Sequence, residues 1–350
     1  MSYAFNPELN FILTPNKFTG EQINLKFPTM SSNPTPRYVT VEGLRFVEGF
    51  HPDTVRSALT YQPRPYDVFV VTYPKCGTTW MMQIALLLLH EGELPETTEE
   101  YFACTPYLEM LGAEVVEKMP RPSPIRSHLP FDMIPYAKHA KYIYVARHPK
   151  DCCISMYHHT KMFPSYGFSK GSFDDFFKIF IRGETDYNDY FDHLLSFYEH
   201  RYDDNIFFIT YEQLRDDTRG AILQIADFLG EKYSKLLREN TKVLDKILHY
   251  SNYDFMKQDT FSVWKEALQI TPQAFSATKL PPGLASWAES AVDSHYGQPK
   301  MPMINVRDLM RRSSLMEWDT KLKPSQEQKL QRRIIEKTNN SDVMDLWKDT

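Results

Sequence analysis

Only four of the 350 residues are cysteine, and their placement gives no disulfide framework. Cys152 and Cys153 are neighbours, Cys76 lies in a turn-like stretch and Cys104 stands alone. That usage fits a reducing compartment. The opening MSYAFNPELNFILTPNKF has neither a basic segment nor the apolar core of a secretory leader, so none is read there. Long apolar runs are missing too. The longest, Trp80 to Leu89, falls far short of the roughly 20 residues a bilayer-spanning helix needs, so a cytoplasmic setting with no membrane span is expected. The formal net charge is −5, which excludes the global basic field that draws proteins onto nucleic acid or acidic membranes. Any anionic ligand must be held by local groups. No His/Cys/Asp cluster has metal-ligand spacing, and no metal is expected.

What is present is the composition of an ordinary globular protein, with 42% hydrophobic and 24% charged residues, enough to bury a substantial core. Residues 1–66 are rich in Pro, Asn and Thr with weak periodicity, and are expected to be an arm packed on the domain. Residues 67–350 then form a single domain. Val68 to Thr72 reads as a buried strand, Tyr73 to Gly77 as a turn, and Thr79 to Leu89 as a helix. The same grammar returns with a strand at Tyr142 to Val145, a turn at Arg-His-Pro-Lys-Asp, and a helix at Cys152 to His159. A third strand at Ile206 to Thr210 precedes a helix from about Arg219 to Leu229. Strands alternating with helices predict an α/β fold, a mostly parallel central sheet with helices on both faces. Ligands bind such sheets at the carboxyl ends of the strands. A charged helix is expected at Ser325 to Lys337, started by Pro324 and Ser325.

Four short elements can carry chemistry. In Tyr73-Pro-Lys-Cys-Gly-Thr-Thr-Trp80, a glycine-containing strand-to-helix loop can aim backbone N–H groups at an anion, with the charge of Lys75 and the hydroxyls of Thr78 and Thr79 beside them. The lysine precedes the glycine, so this is not the nucleoside-triphosphate loop, whose lysine sits at the helix start. An ordinary β-to-α turn is the alternative. In Arg147-His-Pro-Lys-Asp-Cys-Cys-Ile-Ser155, an arginine at a strand end can fork onto a phosphate and a serine two helical turns on can add a hydroxyl. Taken alone, Arg147 reads as readily as a solvated or paired arginine. Arg311-Arg312-Ser313 is a third basic element, by itself a solvated surface pair. Ile125-Arg-Ser-His-Leu-Pro130 holds an imidazole suited to taking a proton from an alcohol near neutral pH, though a lone histidine can equally be structural.

In this order, from about Asp67 to Trp318, the four elements resemble the cytosolic sulfotransferase family, whose motifs read YPKSGTTW, KTHLP, R-x-x-K-D-x-x-x-S and RKG-x-x-G-D-W. The resemblance implies transfer of a sulfuryl group from 3′-phosphoadenosine 5′-phosphosulfate (PAPS) to a small lipophilic hydroxyl acceptor, leaving PAP and needing no metal. It implies a P-loop-like strand–loop–helix in which Lys75, Cys76, Gly77, Thr78 and Thr79 cradle the 5′-phosphosulfate, with Trp80 beside the adenine. Arg147, Ser155, Arg311, Arg312 and Ser313 would hold the 3′-phosphate. Tyr211 and the stretch Ser251-Asn-Tyr253 would complete the adenosine pocket, His128 would be the general base, Lys75 would neutralise charge on the departing phosphate, and Ser155 would be catalytic with them. The chain departs from the motifs at several positions. Cys76 replaces serine, Arg126 replaces lysine, Arg312 stands for lysine, Ser313 and Met316 stand for glycines, and Glu317 stands for aspartate. The family's dimerisation pattern is degenerate over Asp319 to Gln328, which leaves a homodimer open.

The segment from about 264 to 305 exceeds the usual family length. Leu284, Trp287, Ala288, Ala291 and Val292 in it follow one helical face. Such a helix can serve as a lid over a large acceptor or be a surface insertion. Length and insertion resemble the retinol dehydratase branch of the family, which implies sulfation of retinol followed by elimination of sulfate to anhydroretinol. A plain phenol, amine or sterol sulfotransferase and a nucleotide-binding module without catalysis remain the alternatives.

Overall fold

The computed structural model describes residues 35–260 and 321–348. It opens on a hairpin of β1 (Tyr38–Val41) and β2 (Leu44–Val47), antiparallel, followed by α1 (Pro52–Leu59). Glu42 and Gly43 at the hairpin tip both have positive φ, as a two-residue turn matched to strand twist requires. Val41, Leu44, Phe46 and Val55 are buried in the main hydrophobic cluster. Nothing in the sequence marks these elements, because the two strands have four residues each and the helix eight, too few for a clear periodicity.

Strands β3 (Val68–Thr72), β4 (Pro124–Ser127), β5 (Lys141–Ala146) and β6 (Ile206–Thr210) form one sheet in the order β4-β3-β5-β6, with every pairing parallel. Alternate residues of a strand face opposite sides, and both sides here are apolar. Phe69, Val71, Tyr142 and Tyr144 enter one core, while Val68, Val70, Ile143 and Val145 enter the other. Burial on both faces explains the unbroken apolar runs of β3 and β5. On the second face lie α2 (Thr78–Leu89), α8 (Thr218–Leu229) and α9 (Thr241–Tyr250), which contribute Met82, Ile222 and Ile247. On the first lie α4 (Pro149–Met162), α5 (Phe173–Arg182), α6 (Tyr190–Tyr198) and α10 (Pro324–Thr338), which contribute Met156, Phe176, Leu194 and Leu330. Two shorter helices matter below: α3 (Leu108–Leu111) and α7 (Tyr211–Asp216).

The α/β prediction with a parallel sheet and helices on both faces agrees with this architecture. β3 and β6 fall at the expected residues. The helix expected from Cys152 starts earlier, at Pro149, because proline suits the first helical position and the His148 ring accepts the Lys150 N–H as a cap. β4 has no signal of its own in the sequence. Its four residues PIRS hold one β-branched residue, and pairing with β3 makes them a strand. The lid segment 264–305, the elements Arg311-Arg312-Ser313 and Trp318, and part of the degenerate dimer stretch lie outside the described residues. Among the described residues no helix is long and apolar enough to cross a membrane.

Candidate active site

β3 sits between β4 and β5, so the chain leaves β3 for one side of the sheet and returns to the other. Such a reversal opens a crevice at the carboxyl ends of the strands. The loop from Tyr73 to Gly77 emerges there. It is held from below, since Tyr73 is fully buried with its hydroxyl against Thr185 Oγ1 at 2.5 Å, and Cys76 is buried with its N–H donating to the Tyr73 carbonyl at 3.2 Å. Gly77 caps α2 at φ +104°, a left-handed conformation that costs a side chain dearly. A Cβ placed there would lie 2.8 Å from Cδ2 of Tyr211. Lys75 also has a positive φ, 72°, the kind of strained backbone that collects at functional sites.

Gly77→Ala combines backbone strain with that clash, and is expected to lower stability by about 1–3 kcal/mol and to weaken nucleotide binding as the loop or Tyr211 gives way. Thermal unfolding and PAP calorimetry check this. Wild-type values in both would show that the tight approach does not constrain the loop.

Lys75 is half-buried, and its pKa is pushed down to about 8, first by burial and next by the charge of Arg147. Arg147 follows the end of β5, is 6% exposed, and donates from Nη1 to the Lys75 carbonyl at 3.0 Å. Its guanidinium lies 4.6 Å from the Tyr211 ring centroid, a cation–π contact. Tyr211, at the start of α7, also meets Trp80 edge-on at 5.6 Å. The two loops therefore open on one place. The Trp80 indole N–H is buried and has no partner among the described residues. Ser155 lies on α4 two turns beyond Arg147 and is half-buried.

His128 directly follows β4. Its Nδ1 lies 2.7 Å from the Thr72 carbonyl oxygen and 3.2 Å from Thr72 Oγ1. A carbonyl only accepts, so Nδ1 carries the proton and the lone pair sits on Nε2. Thr72 Oγ1 also meets Thr78 Oγ1 at 2.6 Å, which ties the imidazole to the start of α2. The rings of Tyr107 and Tyr187 stand edge-on to His128 at 5.3 and 5.4 Å, with their hydroxyls in contact with each other. Burial pushes the imidazole pKa down to about 3, and the charges of Arg126 and Lys75 add to the shift against the opposing Thr72 hydrogen bond. The imidazole is thus neutral, and the charge of Lys75 is a minor contributor to its downward shift.

Ser251 is buried, with its hydroxyl donating to the Ile247 carbonyl at 2.7 Å. Tyr253 begins the next helical turn. This segment is tied to α2 through Gln83, whose amide donates to the Tyr250 carbonyl at 3.3 Å. Several residues of the site carry no sequence motif. Glu109 on α3 is fully buried beside His128, and its carboxyl is pushed up to about 7 by burial, against hydrogen bonds from the His128 N–H and the Ser127 hydroxyl. His193 on α6 donates from Nε2 to the His128 carbonyl at 2.9 Å. Glu212 accepts the His148 N–H at 3.0 Å and the Trp347 indole N–H at 2.8 Å, pinning the loop after β5. A carboxylate within the apolar stretch Tyr-Leu-Glu-Met-Leu was the available signal for Glu109, whereas Glu212 has polar neighbours, and the fold alone brings both to the motifs. Among the described residues no group of three or more His, Cys, Asp or Glu could hold a metal ion.

Residues 65–278 match the family model described as the sulfotransferase domain. Bovine (Bos taurus) sulfotransferase 1E1 is 31% identical over 225 residues, covering 61% of this chain and 72% of the relative. Mouse (Mus musculus) sulfotransferase 2B1 is 32% identical over 241 residues, covering 67% and 69%. Among solved structures, mouse sulfotransferase SULT7A1 complexed with PAP superposes with a TM-score of 0.63 at 24% identity, covering 87% of this chain and 95% of that one. Retinol dehydratase in a complex with retinol and PAP superposes with a TM-score of 0.57 at 21% identity, covering 89% and 92%. The two structures share the fold, and the family model spans well over half of the chain, from before β3 to beyond α9: this chain belongs to the sulfotransferase family.

Proposed function

We propose that this sulfotransferase takes its sulfuryl group from PAPS and passes it to the hydroxyl of a small lipophilic acceptor, with His128 as general base. The observation that carries the reading is a neutral imidazole whose Nδ1–H is fixed by Thr72, the last residue of β3, at the strand end from which the loop carrying Lys75 leaves. PAP in both structural relatives supports the choice of nucleotide. The loop from Lys75 to Thr79, with Trp80 and Tyr211, would receive the 5′-phosphosulfate and adenine. Arg147 and Ser155, together with Arg311, Arg312 and Ser313, would receive the 3′-phosphate. Ser251 and Tyr253 would close the adenosine side.

The step balances simply. The acceptor oxygen forms a bond to sulfur, its proton passes to His128 Nε2, and the sulfur–oxygen bond to the phosphate breaks with its electron pair leaving on PAP. Lys75 neutralises charge growing on that phosphate oxygen, so catalysis is positioning plus electrostatic stabilisation. Burial chiefly depresses His128, and a nucleotide bringing several negative charges offsets the smaller share from Arg126 and Lys75, which raises its basicity when it is needed.

For the acceptor, the aromatic walls of Tyr107 and Tyr187 favour a flat or apolar molecule bearing one hydroxyl. The finer reading is retinol, supported by chain length and by the insertion at 264–305. There the sulfate ester would depart from an allylic carbon, a polyene would carry the cation, and loss of a proton would give anhydroretinol and free sulfate. Radiolabelled PAPS incubated with phenols, sterols, amines and retinol tests both levels. Label retained in an ester is expected for a plain sulfotransferase. Release of free sulfate with a desaturated hydrocarbon is expected for the dehydratase. If PAP binds and no acceptor consumes PAPS, the chain is a binding module and the catalytic reading fails.

A further inference from the structure

His128 lies one residue past the last paired position of β4, Ser127 opposite Val71, so the sheet ladder does not hold its main chain. β4 is an edge strand, and two buried side chains take over. From α3, Glu109 Oε1 accepts the His128 N–H at 2.6 Å and the Ser127 hydroxyl at 2.8 Å. From α6, His193 Nε2 donates to the His128 carbonyl at 2.9 Å, and its Nδ1 meets the Tyr144 hydroxyl at 3.0 Å. Since the His193 ring donates through Nε2, its Nδ1 is the acceptor and the Tyr144 hydroxyl the donor, which fixes the tautomer.

We propose that Glu109 and His193 are positioning residues for sulfuryl transfer, clamping the main chain of His128 by its N–H and its carbonyl so that its imidazole stays on the Thr72 carbonyl. The inference rests on the role given above to His128. Neither residue needs to touch substrate. The need for a clamp follows from reach: the imidazole sits one rotatable side chain away from a backbone that its own strand leaves unpaired, and a misplacement of about 1 Å can cost roughly 100-fold in rate. Replacing a carboxylate that accepts two hydrogen bonds by an apolar group leaves the His128 N–H buried without an acceptor, which the chain relieves by shifting that residue.

Glu109 faces Arg126, Tyr107 and Tyr187 as well as His128, each coupled to it through charge or hydrogen bond. Burial dominates those partners and holds its carboxyl near neutrality, so its grip on the His128 N–H weakens as pH falls through about 7.

The test uses the full chain with an acceptor it sulfates. Glu109→Leu and His193→Phe are expected to lower kcat by roughly 100-fold, with the KM for PAPS and the Kd for PAP within about twofold. His193→Gln, which returns a donor at the Nε2 position, is expected to recover much of that loss. Glu109→Gln is expected to lower kcat by roughly 10-fold and to erase the fall in kcat below about pH 7. A merely structural role predicts lower melting temperature with kcat, KM and pH profile unchanged in the folded fraction, and that result overturns the clamp. Should the apolar variants not fold, the isosteric Glu109→Gln decides: wild-type kcat with a wild-type pH profile sinks the proposal. Absence of PAPS consumption by the wild type with every acceptor would instead sink the underlying reading.

Discussion

His128→Ala is expected to lower kcat by about 100- to 10,000-fold, the range a positioned general base supplies, while PAP binds within about twofold of wild type. The split follows from where the imidazole sits. It hangs from the end of β4 beside the rings of Tyr107 and Tyr187, whereas the groups proposed for the nucleotide lie on the loop after β3, on α2, α4 and α7, and just after β5. Proton removal and nucleotide capture are therefore carried by different elements. Single-turnover transfer measures the first and calorimetry with PAP the second. A near-normal rate would remove His128 from its role; a large loss of PAP affinity would mean that the imidazole binds instead of accepting a proton. The pH dependence carries a sign of its own. The folded imidazole titrates near 3, below the ordinary value of about 6.5, so the unfolded chain binds the extra proton and stability falls as pH drops from about 6.5 towards 3. His128→Ala is expected to lose part of that acid sensitivity.

The parallel sheet was legible because burial on both faces leaves an unbroken record, as in Val-Phe-Val-Val-Thr at 68–72 and in the apolar run at 206–210. Lys75 was legible through a specific loop motif, Arg147 and His128 through motifs that are weak alone, and the fold brings those three to one end of the sheet. β4 was not legible, since an edge strand of four residues owes its form to its neighbour. Glu109 and His193 were missed for a related reason. Their partners are main-chain groups of His128, 19 and 65 residues away in sequence, and nothing local distinguishes a carboxylate that will accept a buried N–H from one that will face water. Tyr187 shows the same limit: its positive φ and its place beside the imidazole are properties of a loop, and loops carry function without periodic signals.

Lys75→Met is expected to lower kcat/KM for PAPS by roughly 100- to 1,000-fold, as loss of one preorganised charge at a developing anion does. Methionine keeps the length and apolar stem of the side chain, so the loss is one of charge. The ammonium has a distinguishing mark: burial and the Arg147 charge hold it near 8, well under the ordinary lysine value of about 10.4. In the free protein at pH 8.5 a large fraction is therefore neutral. An arriving phosphosulfate favours the charged form, so binding must draw a proton from the buffer. Calorimetry of PAP binding in buffers of differing ionisation enthalpy is expected to show net proton uptake at pH 8.5 that shrinks towards pH 6 and is largely lost in Lys75→Met. The free protein should respond in the same sense. Between about 8 and 10.4 the unfolded chain binds the proton that the folded one has released, so stability rises with pH across that window through this group, and Lys75→Met should flatten the rise. Proton uptake unchanged by the substitution would place the titrating group elsewhere and leave Lys75 as a structural lysine, because a charge that meets the nucleotide cannot leave its protonation untouched.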